Sequence, residues 1–179
     1  MNADIPVTRA RIYNIKGVDS NNPIDLNVVH DDGDGDNQTK KNLATDEFFD
    51  SDGFNKRDWN IVRNIFDKNI EVIFTDGMRI KGSEENINFL IQCLEFAPDS
   101  KIIHQIQFGS GEFTCVNSVI VGTFTHPLTS IDGSIIQPNG NKFVVNQCKI
   151  NQWKNNKLVR SLVFTDNGDT LKQLGINKL

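Results

Sequence analysis

The sequence predicts an α+β domain in which a curved antiparallel sheet wraps around helices as a cone. Helical spacing of apolar residues is confined to the first half of the folded region, whereas long stretches of period-two alternation fill the second half. Helices that are segregated from antiparallel strands are typical of α+β proteins. A strongly curved sheet that wraps on a helix encloses an apolar interior, and such an interior can hold a small molecule.

Composition excludes several classes of function. The chain has 179 residues, a net charge of −4 and no basic cluster, which argues against nucleic-acid binding. No apolar run is long enough to cross a bilayer, and the first residues lack a secretory signal, so we expect a cytoplasmic protein without a membrane partner. The C-terminal Asn177-Lys178-Leu179 differs from the peroxisomal SKL address by Asn in place of Ser. The three cysteines are well separated, and no Cys/His spacing predicts a zinc site.

Residues 1–42 differ in composition from the rest of the chain. They are rich in turn-forming and charged residues, which bury too little apolar surface to offset the entropy of ordering. An EF-hand that began at Asp32 would need Gly at Asn37 and Glu at Leu43, so we reject a calcium loop. We therefore expect an N-terminal extension, largely irregular or disordered, before a folded domain over residues 43–179.

The first half of the folded region predicts helices that are interrupted by one short hairpin. Apolar residues at helical spacing predict a helix over residues 56–66. Asp76-Gly77 is typical of the turn between two short strands. Ser83 is expected to cap the next helix, and Pro98 ends it.

The second half predicts long antiparallel strands. Residues 98–127 form two strands that meet at a glycine-containing turn, and period-two alternation places Ile102, His104, Ile106 and Phe108 on one face of the first. His104 is the one titratable group on that face, which makes it a candidate for chemistry. Two further strands follow, and Asp166 closes a largely apolar face of the last one.

An ordered series of segments resembles a known family. Together they are similar to the SnoaL-like polyketide cyclase or ester cyclase family, whose fold is the nuclear-transport-factor-2-like cone. The resemblance covers residues 43–176. The segments are DWNIVRNIF, TDG, APDSKIIHQIQFGSGEFTCV, GTFTHPL, IQPNGNKF, INQW and FTDNGDTLKQLGI.

The resemblance implies an acid–base pair. In this family a buried acidic residue acts as general acid/base with the help of a histidine, and the matching residues here are Asp166 and His104. The implied reaction is an intramolecular aldol ring closure on a polyketide ester, with no cofactor and no metal. A carboxylate in an apolar pocket has a raised pKa, which suits proton abstraction next to a carbonyl. Thr165 stands where the family has Trp, and Arg160 and Ser161 stand where it has acidic residues, so the pocket wall is altered.

Both catalytic candidates also have a structural interpretation. His104 could be a satisfied core histidine, and Asp166 could cap the helix after Asn167. The competing hypotheses are therefore a cofactor-free cyclase, isomerase or hydratase, and a non-catalytic module that binds a small molecule or dimerises. The expected ligand is a small apolar or aromatic carbonyl compound. The residues expected to contact it are Phe89, Phe108, Gln147, Trp153, Phe164 and Asn167.

The resemblance also implies a homodimer, because related folds often pair through the outer face of the sheet. Polar side chains that alternate along the strands are expected to form a wet interface there. They are Gln105, Gln107, Gln147, Lys149 and Asn151.

Overall fold

A curved, open sheet of seven strands organises the fold, as predicted for an α+β cone. The structure, a computed structural model, describes residues 29–30, 37–129 and 133–176. Most of the predicted extension and the C-terminal Asn177-Lys178-Leu179 lie outside these residues. The strands of the large sheet are β1 (Val29–His30), β2 (Phe66–Phe74), β3 (Arg79–Lys81), β4 (Lys101–Ser110), β5 (Phe113–Thr123), β8 (Lys142–Lys154) and β9 (Lys157–Thr165), and a separate hairpin contains β6 (Leu128–Thr129) and β7 (Ile135–Ile136).

The order across the large sheet is β1-β4-β5-β8-β9-β2-β3. The central ladders β4–β5, β5–β8 and β8–β9 are antiparallel, whereas β2 pairs with β9 in parallel. The helices are α1 (Asn37–Phe48), α2 (Trp59–Ile65), α3 (Ser83–Glu95) and α4 (Asn167–Gln173), and a π-helix (Phe49–Phe54) continues α1.

Helix α1 begins six residues before the predicted domain boundary. Its first turns dock on the β4–β5 turn, where Thr39 and Asn42 both donate to the carbonyl oxygen of Gly111, at 3.4 and 3.3 Å. Both side chains are fully buried. Tertiary contacts therefore order a segment that composition alone predicted to be irregular, because the buried polar groups find partners on the sheet.

A β-bulge in β4 changes which residues share a face. The register pairs His104 with Ser118 but Ile106 with Asn117, so Gln105 is an extra residue. An extra residue shifts the alternation by one, so side chains beyond it exchange faces. The prediction that His104, Ile106 and Phe108 lie on one face is therefore wrong: Phe108 lies on the side opposite His104.

The assignment of inner and outer faces in β8 is also the reverse of the prediction. Gln147, Lys149 and Asn151 border the cavity described below and define the inner face of the sheet. Gln107 is buried as well. These polar side chains therefore do not form the outer surface, and the predicted wet interface is wrong.

The outer face carries apolar residues instead. Phe108, Cys115, Ile150 and Leu162 form one cross-strand row, and Phe164 lies in the adjacent row. Phe108, Ile150 and Phe164 are exposed. The outer patch, defined as Phe108, Ile150 and Phe164, is thus an exposed apolar surface on the sheet.

The main hydrophobic core lies between α2, α3 and the inner face. Val62 and Ile70 are completely buried in it, and Trp153 is 2 % exposed. The indole N–H of Trp153 donates to the hydroxyl of Thr114 at 2.9 Å, so the polar edge of the ring is satisfied. Trp153 is therefore a core residue. The sequence predicted that it contacts the ligand, but Trp153 does not border the cavity described below.

Candidate active site

A cavity of about 310 Å³ lies between α3 and the inner face of the sheet. This volume is in the range of small-molecule sites. Asp76 and Met78 are exposed lining residues and mark its mouth. The apolar lining residues are Phe49, Phe54, Phe66, Val72, Phe74, Met78, Phe89, Leu90, Leu94, Phe96, Ile102, Ile120, Phe143, Val145, Leu158 and Val163.

Polar side chains meet at the inner end of this cavity. Lys149 and Asn151 stand two positions apart on β8, and Ser161 on β9 is the register partner of Asn151. All three are buried. Strand geometry explains the grouping, because residues two apart on a strand and directly paired residues on its neighbour share one face.

Asp50 on the π-helix organises the charges at this end. Lys149 Nζ donates to Oδ1 and Oδ2 of Asp50, both at 2.7 Å, and His104 Nε2 is hydrogen-bonded to Oδ2. The backbone carbonyl of Asp50 accepts the i→i+5 bond from Asn55 N at 2.9 Å, which is the bond that defines a π-helix. All three ionisable side chains are buried.

A second carboxylate, Asp46, lies four residues earlier and one turn away on α1. It accepts from Thr114 Oγ1 at 2.5 Å and from Asn151 Nδ2 at 2.6 Å. Ser161 Oγ in turn donates to Asn151 Oδ1 at 2.6 Å. Thr114 and Asn151 donate directly to Asp46, and Ser161 donates to Asn151. The network therefore suits a hydrogen-bond acceptor at position 46.

The two carboxylates have opposite pKa shifts. Burial raises the pKa of Asp46 to about 6, although Lys149 and the hydrogen bonds from Thr114 and Asn151 oppose it. Burial acts in the same direction on Asp50, but Lys149 and His104 outweigh it and hold the pKa of Asp50 below its ordinary value. The site therefore favours the ionised form of Asp50, whereas Asp46 titrates near pH 6.

Lys149 is the cation that reaches the cavity. Two of its three N–H donors are directed at Asp50, and none of the described residues accepts from the third. Its ammonium lies 5.0 Å from the centre of the Phe49 ring, a distance at which the ring face attracts a cation. The geometry therefore offers one charged hydrogen-bond donor to a ligand in an otherwise apolar space.

The structure places some of the predicted ligand contacts at the cavity and others away from it. Phe89, Gln147 and Asn167 border the cavity. Phe108 and Phe164 belong to the outer patch and do not line it. The bulge at Gln105 places Phe108 on the outer face, and the alternation of side chains along β9 places Phe164 there.

Asp166 lies outside the polar end. It is exposed, and its Oδ1 accepts from the backbone N–H of Asp169 at 2.9 Å, which makes it the N-cap of α4. The register runs from His104 through Ser118 and Gln147 to Thr165. Three strand spacings separate the ends of that row by roughly 14 Å along the sheet. The aspartate that meets His104 is therefore Asp50 and not Asp166.

Sequence reasoning missed Asp46, Asp50 and Lys149 as site residues. The two aspartates stand four apart, a spacing that places them on one side of a helix. Their segment is rich in acidic residues, which resembles a solvated surface. Lys149 was assigned to the polar face of β8, and only the packing of the helices shows that this face is buried.

The described part of the chain contains no group of three His, Cys, Asp or Glu side chains that could hold a metal ion. None of its helices is long and apolar enough to span a membrane.

Comparison with known proteins identifies the family. The model of the family "SnoaL-like polyketide cyclase" matches residues 44–174. None of the curated protein sequences matches the chain.

Solved structures share the fold. A proposed SnoaL-like polyketide cyclase from Jannaschia sp. CCS1 superposes with a TM-score of 0.72 at 16 % identity, over 82 % of this chain and 99 % of that one. IdmH, a proposed polyketide cyclase from Streptomyces antibioticus, superposes with a TM-score of 0.63 at 19 % identity, over 75 % of this chain and 98 % of IdmH. An LEH-like epoxide hydrolase from M. tuberculosis superposes with a TM-score of 0.59 at 12 % identity, over 76 % of this chain and 91 % of the hydrolase. With its family match and its α+β cone, the chain belongs to the SnoaL-like polyketide cyclase family.

Proposed function

We propose that this chain catalyses ring closure of a small carbonyl compound in its cavity, with Lys149 as the group that binds the carbonyl oxygen. The observation that carries the proposal is the free N–H donor of a buried ammonium at the end of an apolar cavity. Family membership supports a cyclase-type reaction, and the apolar lining supports an apolar or aromatic substrate.

The chemistry follows from the charge that develops. When a proton leaves the carbon next to a carbonyl, the carbonyl oxygen becomes an enolate and gains negative charge. A fixed ammonium in a low-dielectric site stabilises that charge more than it stabilises the neutral carbonyl, and this difference lowers the barrier. Asp50 holds Lys149 in place through two hydrogen bonds, and His104 in turn contacts Asp50.

The test uses a panel of polyketide-like esters and ketones, with ring-closed products detected by mass spectrometry. We expect Lys149→Met to lower kcat by about 10²–10³-fold, the loss typical of one oxyanion donor. Because Lys149→Met leaves Asp50 buried without its main partner, the double variant Asp50→Asn/Lys149→Met serves as the control for folding. Asp166→Asn, which lies outside the site, is expected to retain activity.

The results distinguish enzyme from binding module. Full activity in a folded Lys149→Met protein would contradict the role of Lys149. Binding of panel compounds without turnover by the wild-type protein would favour the alternative, a non-catalytic module for small apolar molecules.

We also propose that the chain forms a homodimer through the outer patch. Phe108 is 54 % exposed and Phe164 is 42 % exposed, and both lie on a sheet face with Ile150. Exposed apolar side chains that cluster on one face of a sheet are a feature of protein–protein interfaces. The interface that this supports is apolar, in contrast to the polar one that the sequence predicted.

A further inference from the structure

Three neighbouring buried polar atoms in one row of the inner face have no hydrogen-bond partner among the described residues. They are His104 Nδ1, Ser118 Oγ and Gln147 Oε1. Ser118 is completely buried, and His104 is 7 % exposed. A buried polar group without a partner is strongly unfavourable, and natural proteins usually satisfy it with protein or with ordered water.

The three side chains are consecutive members of one cross-strand row. Ser118 on β5 is the register partner of His104 on β4 and also of Gln147 on β8. Directly paired side chains have Cβ atoms about 4.5–5.5 Å apart. That spacing matches one water molecule that bridges neighbouring groups, since each of its hydrogen bonds spans about 2.8 Å.

The donors and acceptors of the row specify what fits there. Because the carboxylate of Asp50 can only accept, the hydrogen of this bond lies on His104 Nε2, and in that tautomer Nδ1 is an acceptor. Gln147 Oε1 is a second acceptor, and the Ser118 hydroxyl can donate. The complement is an oxygen with two hydrogens to donate and a lone pair to accept, which describes water. A ligand carbonyl has no hydrogen to donate and would leave both acceptors unsatisfied.

We propose that His104, Ser118 and Gln147 hold an ordered water molecule that connects the Asp50–His104 pair to the cavity. Gln147 borders the cavity, whereas His104 and Ser118 lie behind its wall. The bulge at Gln105 sits directly after His104, and bulges often aim a side chain near a functional site. The water gives the enclosed imidazole a route to the ligand.

The consequence for the reaction rests on the proposed function. The substrate C–H bond breaks, its proton passes to the water, and the water passes one of its own protons to His104 Nδ1. The electron pair of the C–H bond becomes the enolate, whose oxygen accepts from Lys149. The enolate carbon then attacks the second carbonyl carbon of the same molecule, and the protonated His104 returns its proton through the water to the new alkoxide. Ser118 and Gln147 are positioning residues in this scheme.

The first experiment measures the water site without any substrate. A crystal structure of the wild-type protein should show ordered water that bridges Ser118 Oγ to His104 Nδ1 and to Gln147 Oε1. Ser118→Ala should lower Tm by about 2–4 °C, because it removes the donor of a bridged water. Ser83→Ala is the matched control, since Ser83 Oγ is also buried without a described partner but lies at the start of α3. This control reports the change in Tm on removing a buried hydroxyl that lies outside the row.

A spectroscopic readout separates positioning from stability. The ¹⁵N resonance of His104 Nδ1, assigned with a His104→Asn variant, should move in Ser118→Ala and stay unchanged in Ser83→Ala. Absence of the water from the crystal structure, a Ser118→Ala protein that melts higher than wild type, or an unmoved resonance would each overturn the proposal. The Lys149→Met assay is independent of these outcomes, so failure of the water site and failure of the cyclase proposal can be told apart.

Discussion

At the scale of single residues, the site depends on how buried charges are compensated. Lys149 and Asp50 are both removed from water, a transfer that is costly unless geometry and further hydrogen bonds offset it. Asp50 meets that condition with three hydrogen bonds from two side chains. Asp46 meets it less fully, because its partners Thr114 and Asn151 are neutral. The difference explains why one carboxylate stays ionised while the other has a raised pKa.

The raised pKa of Asp46 predicts a stability that depends on pH. The folded protein retains the Asp46 proton up to about pH 6, whereas the unfolded chain loses it near the ordinary value of 3.8. Between these values the native state binds more protons, so the contribution of Asp46 to the free energy of unfolding falls as pH rises. The full effect is about 3 kcal/mol. Urea unfolding of wild type and Asp46→Asn at pH 4, 5, 6 and 7 measures it.

The comparison isolates one carboxylate. Wild type should lose stability relative to Asp46→Asn as pH rises through this window, whereas an exposed-site control, Glu85→Gln, should track wild type. A constant difference between wild type and Asp46→Asn from pH 4 to pH 7 would show that burial does not perturb Asp46.

At the scale of secondary-structure elements, helix ends explain where Asp166 lies. Helix α4 has seven residues, and short helices depend on capping because they have few internal hydrogen bonds. Asp166 supplies a carboxylate oxygen to the N–H of Asp169, and Asp58 caps α2 in the same way through Asn60 and Ile61. The carboxylate that ends the apolar strand is therefore used for local structure.

We expect Asp166→Ala to lower the free energy of unfolding by about 0.5–2 kcal/mol, the usual effect of losing an N-cap side chain. Asp166→Asn should be close to wild type, because Asn is an equally good cap. Chemical denaturation measures both, and Asp58→Ala provides the matched loss of a cap elsewhere. Loss of catalytic turnover in a stable Asp166→Asn protein would restore Asp166 as an acid–base candidate.

At the scale of the whole molecule, the sheet separates two surfaces with different roles. Its inner face carries the polar end of the cavity, and its outer face carries the outer patch. The arrangement places the candidate site and the proposed dimer interface on opposite sides of one layer, so a change in one need not disturb the other.

The outer patch predicts a change in oligomeric state. Phe164→Glu should shift sedimentation from dimer to monomer, because an unpaired charge at an apolar interface is unfavourable. Phe48→Glu is the control, since Phe48 is exposed to a similar degree, 46 % against 42 %, but lies on α1. A wild-type protein that sediments as a monomer at all concentrations would refute the dimer.

The sequence by itself determined the fold class, the order of the long strands and the family. Period-two alternation, helical spacing and turn residues are local properties, and the family resemblance adds an ordered series of short segments. The neighbourhood of His104 as a place for chemistry also follows from the strand pattern, because a titratable group on an apolar face is unusual.

Only the tertiary structure decided which residues surround His104. Alternation divides β8 into two faces, but it does not state which one the helices cover, and the buried face proved to be the one with Lys149. The bulge at Gln105 depends on pairing with β5, which no local pattern in β4 reveals. Asp50 reaches His104 across 54 positions of sequence, and such a contact exists only because the π-helix packs on the sheet.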